Sequence, residues 1–397
     1  MNQPTIRPMK APIIFLNMTR QCNVECPRCY ITKENRSRKE LLPMDLIEKL
    51  LRDPVYQQAQ KPPVLAWEGG ELSLVGKKAL IERLELAQSI LPDAQQTMVT
   101  NCYQMPNWLI NIAKKYMDGH LETTYALGKK YSLAGEEDKY QENFIKSVKK
   151  AVDAGLSVTV NIELNPEMAA KGPAALIEIM RKTGAKIWEF DHSIQFDKFL
   201  AKPIYNLDGY PVVQPSQSYE AHAQYLIDLV KYHDKDLMEL GIQSSILWHS
   251  QTLNDSQFFA VQNTDDMVTL TADGSLTTDV VWTDMPGTHI GNLKRQTLSE
   301  ALTSPIRKNI IYFERIKRVK PCMGCEYYRS CRGGPSFVPL HDGGLSSECA
   351  GAKSLYDFMQ HEYTGCYDSA AMMNDPIKTA RLFKEAQAEK AKEDTDL

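Results

Sequence analysis

Cys22, Cys26 and Cys29 are separated by three and then two residues in the stretch Cys22-Asn23-Val24-Glu25-Cys26-Pro27-Arg28-Cys29. Three thiolates so spaced can hold three corners of one iron–sulfur cube. No fourth cysteine lies nearby, so one iron is left open to a small chelating ligand. Structural zinc is the plainer alternative, but zinc usually takes four ligands, and no histidine or fourth cysteine is within reach in sequence. A second group is Cys322, Cys325, Cys331 and Cys349. Four thiolates saturate either a zinc ion or a cube, and spacing alone leaves both open. Cys102 and Cys366 stand apart, and Cys366 has no partner pattern. Nine cysteines in a chain without an export signal point to metal or catalysis rather than to disulfides.

These thiols need elements to hold them. Residues 12–18 form a continuous apolar run, as expected of a strand buried on both faces, and the first cysteine loop follows directly. Residues 43–51 place Leu46, Ile47, Leu50 and Leu51 on one helical face. A strand over 63–67 leads into Glu68-Gly69-Gly70-Glu71, and a helix is expected over 77–91. The alternation continues with strands near 97–100 and 121–126, at Val158 to Leu164 and over 186–190. Helices are expected over 107–116, 143–154 and 173–182. Six such alternations imply a parallel sheet. The cysteine loop, Gly69-Gly70-Glu71 and Asn101-Cys102 then share the rim at the carboxyl ends of the strands, where α/β barrels carry their chemistry.

Cys-x3-Cys-x2-Cys just after the first strand resembles the signature of the radical S-adenosylmethionine (radical SAM) superfamily. The resemblance implies an open (β/α)6, TIM-like partial barrel and a [4Fe–4S] cluster whose open iron binds S-adenosylmethionine. One electron splits that cofactor into methionine and a 5′-deoxyadenosyl radical, which takes hydrogen from a substrate. Gly69-Gly70-Glu71 is similar to the family's Gly-Gly-Glu-Pro motif, which holds the methionine amino group, with Leu72 in place of proline. Arg28 stands where many members have an aromatic residue, and Gln141 roughly where an arginine is often found. Thr124 is the nearest match to the family's serine at the end of strand four. Asn161, on strand five, can reach a ribose or serve as an ordinary rim hydrogen-bonder.

The second cysteine group, with Ile290-Gly291-Asn292-Leu293 and a hairpin over 267–281 turning at Asp273-Gly274, resembles the SPASM or twitch extension. In that pattern Cys322, Cys325, Cys331 and Cys349 hold an auxiliary [4Fe–4S] cluster that handles electrons and does not bind substrate. A second, inner cluster is expected to be absent. No cysteine lies between Phe258 and Thr264, and Asp279 and Pro335 occupy two of its ligand places. Cys102, Asp191 with His192, and Asp279 are candidates for moving hydrogen or protons or for holding substrate. For each, a structural role is the alternative, and for Cys102 that role is a small buried residue.

With 46 basic and 50 acidic residues the net charge of the 397-residue chain is −4, which argues against nucleic acid or an anionic membrane as partner. Residues 13–16 are too short an apolar run for a signal peptide or a membrane span, so a cytoplasmic protein is expected. The expected division is a barrel over 1–210, a connector with a long helix from Tyr219 to Leu240 over 211–262, a small α+β auxiliary-cluster domain over 263–368 and a charged tail over 369–397. The resemblance implies modification of a peptide or protein side chain by crosslinking, epimerisation or oxidation, with a flavodoxin- or ferredoxin-type electron donor. Only twenty-one residues precede Cys22, so a separate protein is expected to bind any leader peptide, unless the substrate is not leader-guided. Oxidation of a small molecule, such as a sugar alcohol or cofactor precursor, is the second reading. A non-catalytic metal-binding scaffold is the third.

Overall fold

A computed structural model describes residues 12–26, 29–128, 135–195, 214–254, 265–285, 287–334, 349 and 353–375. Residues 1–10, Arg28, residues 203–213, the region from Phe258 to Thr264, Pro335 and the residues from Pro376 lie outside the described residues.

The six expected strands form, the third of them two residues earlier than expected. They are β1 (Ile13–Asn17), β2 (Val64–Glu68), β3 (Gln95–Met98), β4 (His120–Tyr125), β5 (Ser157–Leu164) and β6 (Ile187–His192). β1, β2 and β3 pair in parallel, as do β4, β5 and β6. A single parallel bridge, Val99 to Glu122, joins the two groups, and Thr100 N–H donates to the Glu122 carbonyl at 3.0 Å. A short antiparallel pair, β7 (Ile194–Gln195) and β8 (Gln214–Pro215), follows. The remaining strands are β9 (Met267–Leu270), β10 (Ser275–Thr277) and β11 (Gly291–Asn292).

The hairpin at Asp273-Gly274 is present, with β9 antiparallel to β10, but its second strand stops at Thr277. Asp279 then accepts from Val281 N–H at 3.1 Å and caps a tight turn over Val280–Trp282. β9 also pairs in parallel with β1, so the hairpin and β11 extend the barrel sheet in the order β11-β10-β9-β1-β2-β3. The C-terminal strands are therefore built onto the same edge that carries the first cysteine loop.

The helices cover the outer face. Met44–Leu51 buries Leu46, Ile47, Leu50 and Leu51, the face its spacing predicted. Pro166–Thr183 starts earlier than expected because Asn165 caps it, accepting from Met168 N–H at 2.8 Å, and Pro166 fits the first turn. Gly172, with φ 71°, breaks this helix just before Pro173, which is why sequence pattern shows only its second half. Tyr219–Leu240, read as a connector, buries Leu226, Leu229 and Val230 and packs against Pro166–Thr183, inside the helical layer. The core runs without a break from Ile14 and Leu16 of β1 to Leu355 and Tyr356 of the helix Lys353–His361.

Candidate active site

β1 delivers the chain to the rim, where Met18 N–H donates to the Glu68 carbonyl at 2.8 Å. The loop beyond is pinned by Val24, which is buried in the core, and leaves Cys22, Cys26 and Cys29 half-buried. The Asn101 amide donates to Asn23 Oδ1 at 2.8 Å and to Cys22 Sγ at 3.6 Å. Tyr140, stacked on Tyr103, donates its hydroxyl to the Asn101 carbonyl at 3.1 Å and fixes that residue in turn. Burial pushes the Cys22 thiol up to about 11, with Glu71 and Cys29 adding to the rise and the Val24 N–H and Asn101 opposing it. A thiol so placed is a ligand only when a cation displaces its proton.

Gly69 and Gly70 are required by the backbone that leads into the cysteine loop. A Cβ on Gly70 would stand 2.5 Å from the Arg20 carbonyl oxygen and closer still to that of Gln21. A Cβ on Gly69, whose φ is +151°, would stand 3.0 Å from Thr19 N and closer to its oxygen. Gly70→Ala is therefore expected to destabilise the protein by about 1–3 kcal/mol, as overpacking against backbone does. Urea unfolding checks this, and a loss below about 0.5 kcal/mol would mean that the loop moves aside freely.

Glu71 is fully buried, and its carboxylate accepts from Thr100 Oγ1 at 2.8 Å, Ser73 N at 2.9 Å and Asn101 N at 2.8 Å. Burial raises its pKa against these bonds. Its work is to tie the end of β2 to the loop after β3, which carries Asn101. Cys102 follows with φ 52° and lies fully buried in the core.

On β4 to β6, Thr124 pairs with Asn161 and Asn161 with Glu189, so these three stand in one row, and Glu163 and Asp191 stand in the next. Asn161 bonds the Glu122 carboxylate, which also accepts from Thr97 Oγ1 at 3.3 Å. Asp191 is half-buried on this face. His192 does not share it, because successive strand residues point oppositely. Its ring is buried, its centroid 3.9 Å from that of His222 with the two planes tilted by 34°, and it lies edge-on to Tyr219.

Sequence reasoning missed Glu68. It is buried beside Asn17, close enough to Asp279 to feel its charge, and its own charge adds to the burial that raises the phenol of Tyr30, which is adjacent to Cys29. The signal was its place as the last strand residue before Gly69. Burial, and then the neighbouring Asp279, pushes the Glu68 carboxyl up to about 8. The Asp279 carboxyl rises to about 6 through burial, opposed by the Val281 and Val280 N–H groups. A carboxyl whose folded pKa is raised contributes stability that is full below the unfolded value of about 4.3 and is lost as pH climbs through the folded value. The melting temperature is therefore expected to fall between pH 6 and pH 8.5, and the fall to shrink in Glu68→Gln. Equal slopes for the two proteins would contradict this.

Arg20, just before the cysteine loop, forms an ion pair with Asp284, whose other oxygen accepts from Thr32 N at 2.7 Å and from Asn35 Nδ2 at 2.8 Å. This was also missed, since no spacing announces a pair more than 260 residues apart.

In the second group, Cys322 ends the helix Pro305–Cys322, and Cys331 ends the helix Tyr328–Cys331. Arg332, Gly333 and Gly334 have φ of 57°, 90° and 76°, a run that turns the Gly333 and Gly334 N–H groups onto the Cys331 sulfur. Burial, with Cys349 and Cys322 nearby, pushes this thiol up to about 12. Burial raises the Tyr356 phenol, and the charges of Cys331, Cys349 and Cys325 all add to the rise, as those of Cys349 and Cys322 do for the Cys331 thiol.

Among the described residues no three His, Cys, Asp or Glu side chains are gathered tightly enough to hold one ion. A cube spreads its thiolates over a wider base than a single ion does. Three thiols on one loop with an amide donor on the first, and a second group in which Cys331 accepts from two glycine N–H groups, are donor sets that suit clusters. Among the described residues no helix is long and apolar enough to cross a membrane.

No protein-family model matches the chain, and no curated protein sequence does. Among solved structures, hexahistidine-tagged anSMEcpe with bound AdoMet matches with a TM-score of 0.64 at 13% identity, over 94% of this chain and 98% of that one. Native anSMEcpe with bound AdoMet and the Cp18Cys peptide matches at 0.63 and 12%, over 92% and 99%. Streptococcus suis SuiB bound to the precursor peptide SuiA matches at 0.51 and 14%, over 83% and 72%. At these identities the likeness is one of fold. The open α/β barrel with its C-terminal extension is the architecture of these radical SAM enzymes.

Proposed function

We propose that the chain is a radical SAM enzyme that modifies a peptide side chain. The observation that carries this is the meeting, at the carboxyl ends of the barrel strands, of a three-thiol loop with the Gly69-Gly70 backbone and the Asn101 amide. Cys22, Cys26 and Cys29 would hold the [4Fe–4S] cluster. Gly69, Gly70 and Thr124 would take the methionine part of S-adenosylmethionine, Asn161 its ribose, and Glu71 would keep the two loops in register. When both are bound, the reduced cluster would supply the one electron that splits S-adenosylmethionine into methionine and a 5′-deoxyadenosyl radical, which would take one hydrogen atom from the substrate.

The chain's own residues would do the rest. Asp279, with its carboxyl held at about 6, is largely ionised at neutral pH and is suited to take a proton from the substrate radical. Loss of a hydrogen atom, a proton and an electron is a two-electron oxidation, and the electron needs an acceptor. Cys322, Cys325, Cys331 and Cys349 would hold an auxiliary cluster for it, ligated fully by protein and so closed to substrate. Asp191, half-buried on the same wall as Asn161, would hold the substrate. The peptide is favoured because fold neighbours were solved with peptides bound, anSMEcpe with Cp18Cys and Kp18Cys and SuiB with SuiA. A cytoplasmic setting, a flavodoxin- or ferredoxin-type donor and a separate leader-binding protein belong to the same reading.

The test is anaerobic incubation of the reconstituted, reduced protein with S-adenosylmethionine and either candidate peptides or a metabolite extract. The expected result is 5′-deoxyadenosine together with a mass change in a peptide. Consumption of a metabolite with every peptide unchanged would remove the peptide from the proposal.

A further inference from the structure

One face of β4, β5 and β6 is buried, through Leu121, Val160 and Phe190 among others, while the opposite face carries polar residues that are only partly covered. That face is acidic. It carries Glu122 on β4 and Glu189 on β6, and the bond from Thr97 to Glu122 continues it across to β3. At the rim it is met by Glu68 and Asp279. Among the described residues no lysine or arginine forms an ion pair with any of these four carboxylates.

A second, independent feature lies at the same place. The Asn17 side chain is 1% exposed, and although its amide lies near enough to Glu68 to oppose slightly the rise of that carboxyl, neither its oxygen nor its nitrogen completes a hydrogen bond. Glu68 is 5% exposed, and its Oε1 is likewise without a partner. Buried polar atoms are costly when unmade and are found where something else satisfies them. Asn17 and Glu68 sit side by side at the ends of β1 and β2. Together they offer acceptors at the mouth of an acidic wall.

We propose that this wall binds a positively charged group of the substrate, the alkylammonium or guanidinium of a lysine or arginine side chain in a peptide. The proposal rests on the peptide-modifying radical SAM reading and names its substrate class. S-adenosylmethionine, whose sulfonium, ammonium and carboxylate sum to one positive charge, does not account for four clustered carboxyls, all with raised titrations that a further cation would draw back down. A thiolate-ligated cluster held by Cys22, Cys26 and Cys29 would add negative charge. Burial pushes Glu189 up to about 7, with Asp191 and Glu122 adding to the rise and Ser245 opposing it. A cation entering the wall relieves that repulsion.

Two peptides capped at both ends, identical except for lysine or norleucine at the central position, are titrated anaerobically into the reconstituted enzyme with S-adenosylmethionine bound. The lysine peptide is expected to bind at least about tenfold more tightly. In the double variant Glu68→Gln, Glu122→Gln the advantage is expected to shrink to about twofold or less while the norleucine peptide binds as before, which also reports a folded variant. 1-Aminopentane, which has the same charge without a peptide, is expected to compete at least about tenfold more weakly than the lysine peptide. Equal binding of the two peptides, or binding of neither, would overturn the proposal. So would equal competition by the free amine, which would move the ligand from a peptide to a small molecule, and so would a variant that loses S-adenosylmethionine affinity but keeps its lysine preference. All of these are binding measurements, so their failure is distinct from a failure to form 5′-deoxyadenosine, which tests the radical reading.

Discussion

Replacing Cys22, Cys26 and Cys29 together by alanine is expected to reduce 5′-deoxyadenosine formation to the uncatalysed background and to remove one cluster's iron and sulfide, leaving the other. The size of the effect follows from ligand count. Three thiolates are all the protein ligands this cluster would have, so no weakened version survives their loss. The fold is expected to persist, because Cys22, Cys26 and Cys29 are half-buried while Val24, buried in the core, pins the loop. The second group, in which Cys322 and Cys331 end two separate helices and Cys331 takes the Gly333 and Gly334 N–H groups, is untouched. Iron and sulfide analysis after anaerobic reconstitution, with chromatography of the nucleoside product, checks both halves. Continued 5′-deoxyadenosine formation by the triple variant would place the radical chemistry elsewhere.

Asp284→Ala is expected to be the most damaging single substitution for stability outside the hydrophobic core, at about 3–5 kcal/mol, because it leaves a buried cation behind. The Arg20 and Asp284 side chains are 12% and 2% exposed, and the same carboxylate also satisfies Thr32 N–H and the Asn35 amide. The bonds join the two flanks of the cysteine loop to the segment after Asp279, so cluster retention should fall along with stability. Asp284→Asn, which keeps an acceptor but loses the charge, is expected to cost less. Denaturant unfolding of both variants measures this, and a loss under about 1 kcal/mol for Asp284→Ala would show that the pair adds little to the fold.

The barrel was legible because its signals are local. The apolar run of β1, the alternation along β4 to β6 and the Asp273-Gly274 turn each lie within ten residues, and so does the spacing of Cys22, Cys26 and Cys29. What could not be read was pairing over distance. β9 joins β1 across some 250 residues, and Arg20 meets Asp284 across a similar span, with nothing in either segment to mark its partner. The helix Pro305–Cys322 escaped for another reason: charged residues interrupt its apolar stripe and proline stands at both ends. Glu68 was visible as a strand residue, but its burial beside Asp279 depends on how the end of β2 meets the turn after β10. Thr124, Asn161 and Asp191 were found by position on their strands, and the ladder then sets them on one wall.

Everything proposed for this chain depends on an iron that the Cys22–Cys29 loop leaves without a protein ligand. Electron–nuclear double resonance on the reduced, reconstituted protein, with S-adenosylmethionine labelled with nitrogen-15 in its amino group and oxygen-17 in its carboxylate, reads that iron directly. The expected spectrum shows both nuclei coupled to a cluster that disappears in the Cys22, Cys26, Cys29 triple variant. A cluster on that loop with neither coupling, or zinc in its place, would contradict the proposal.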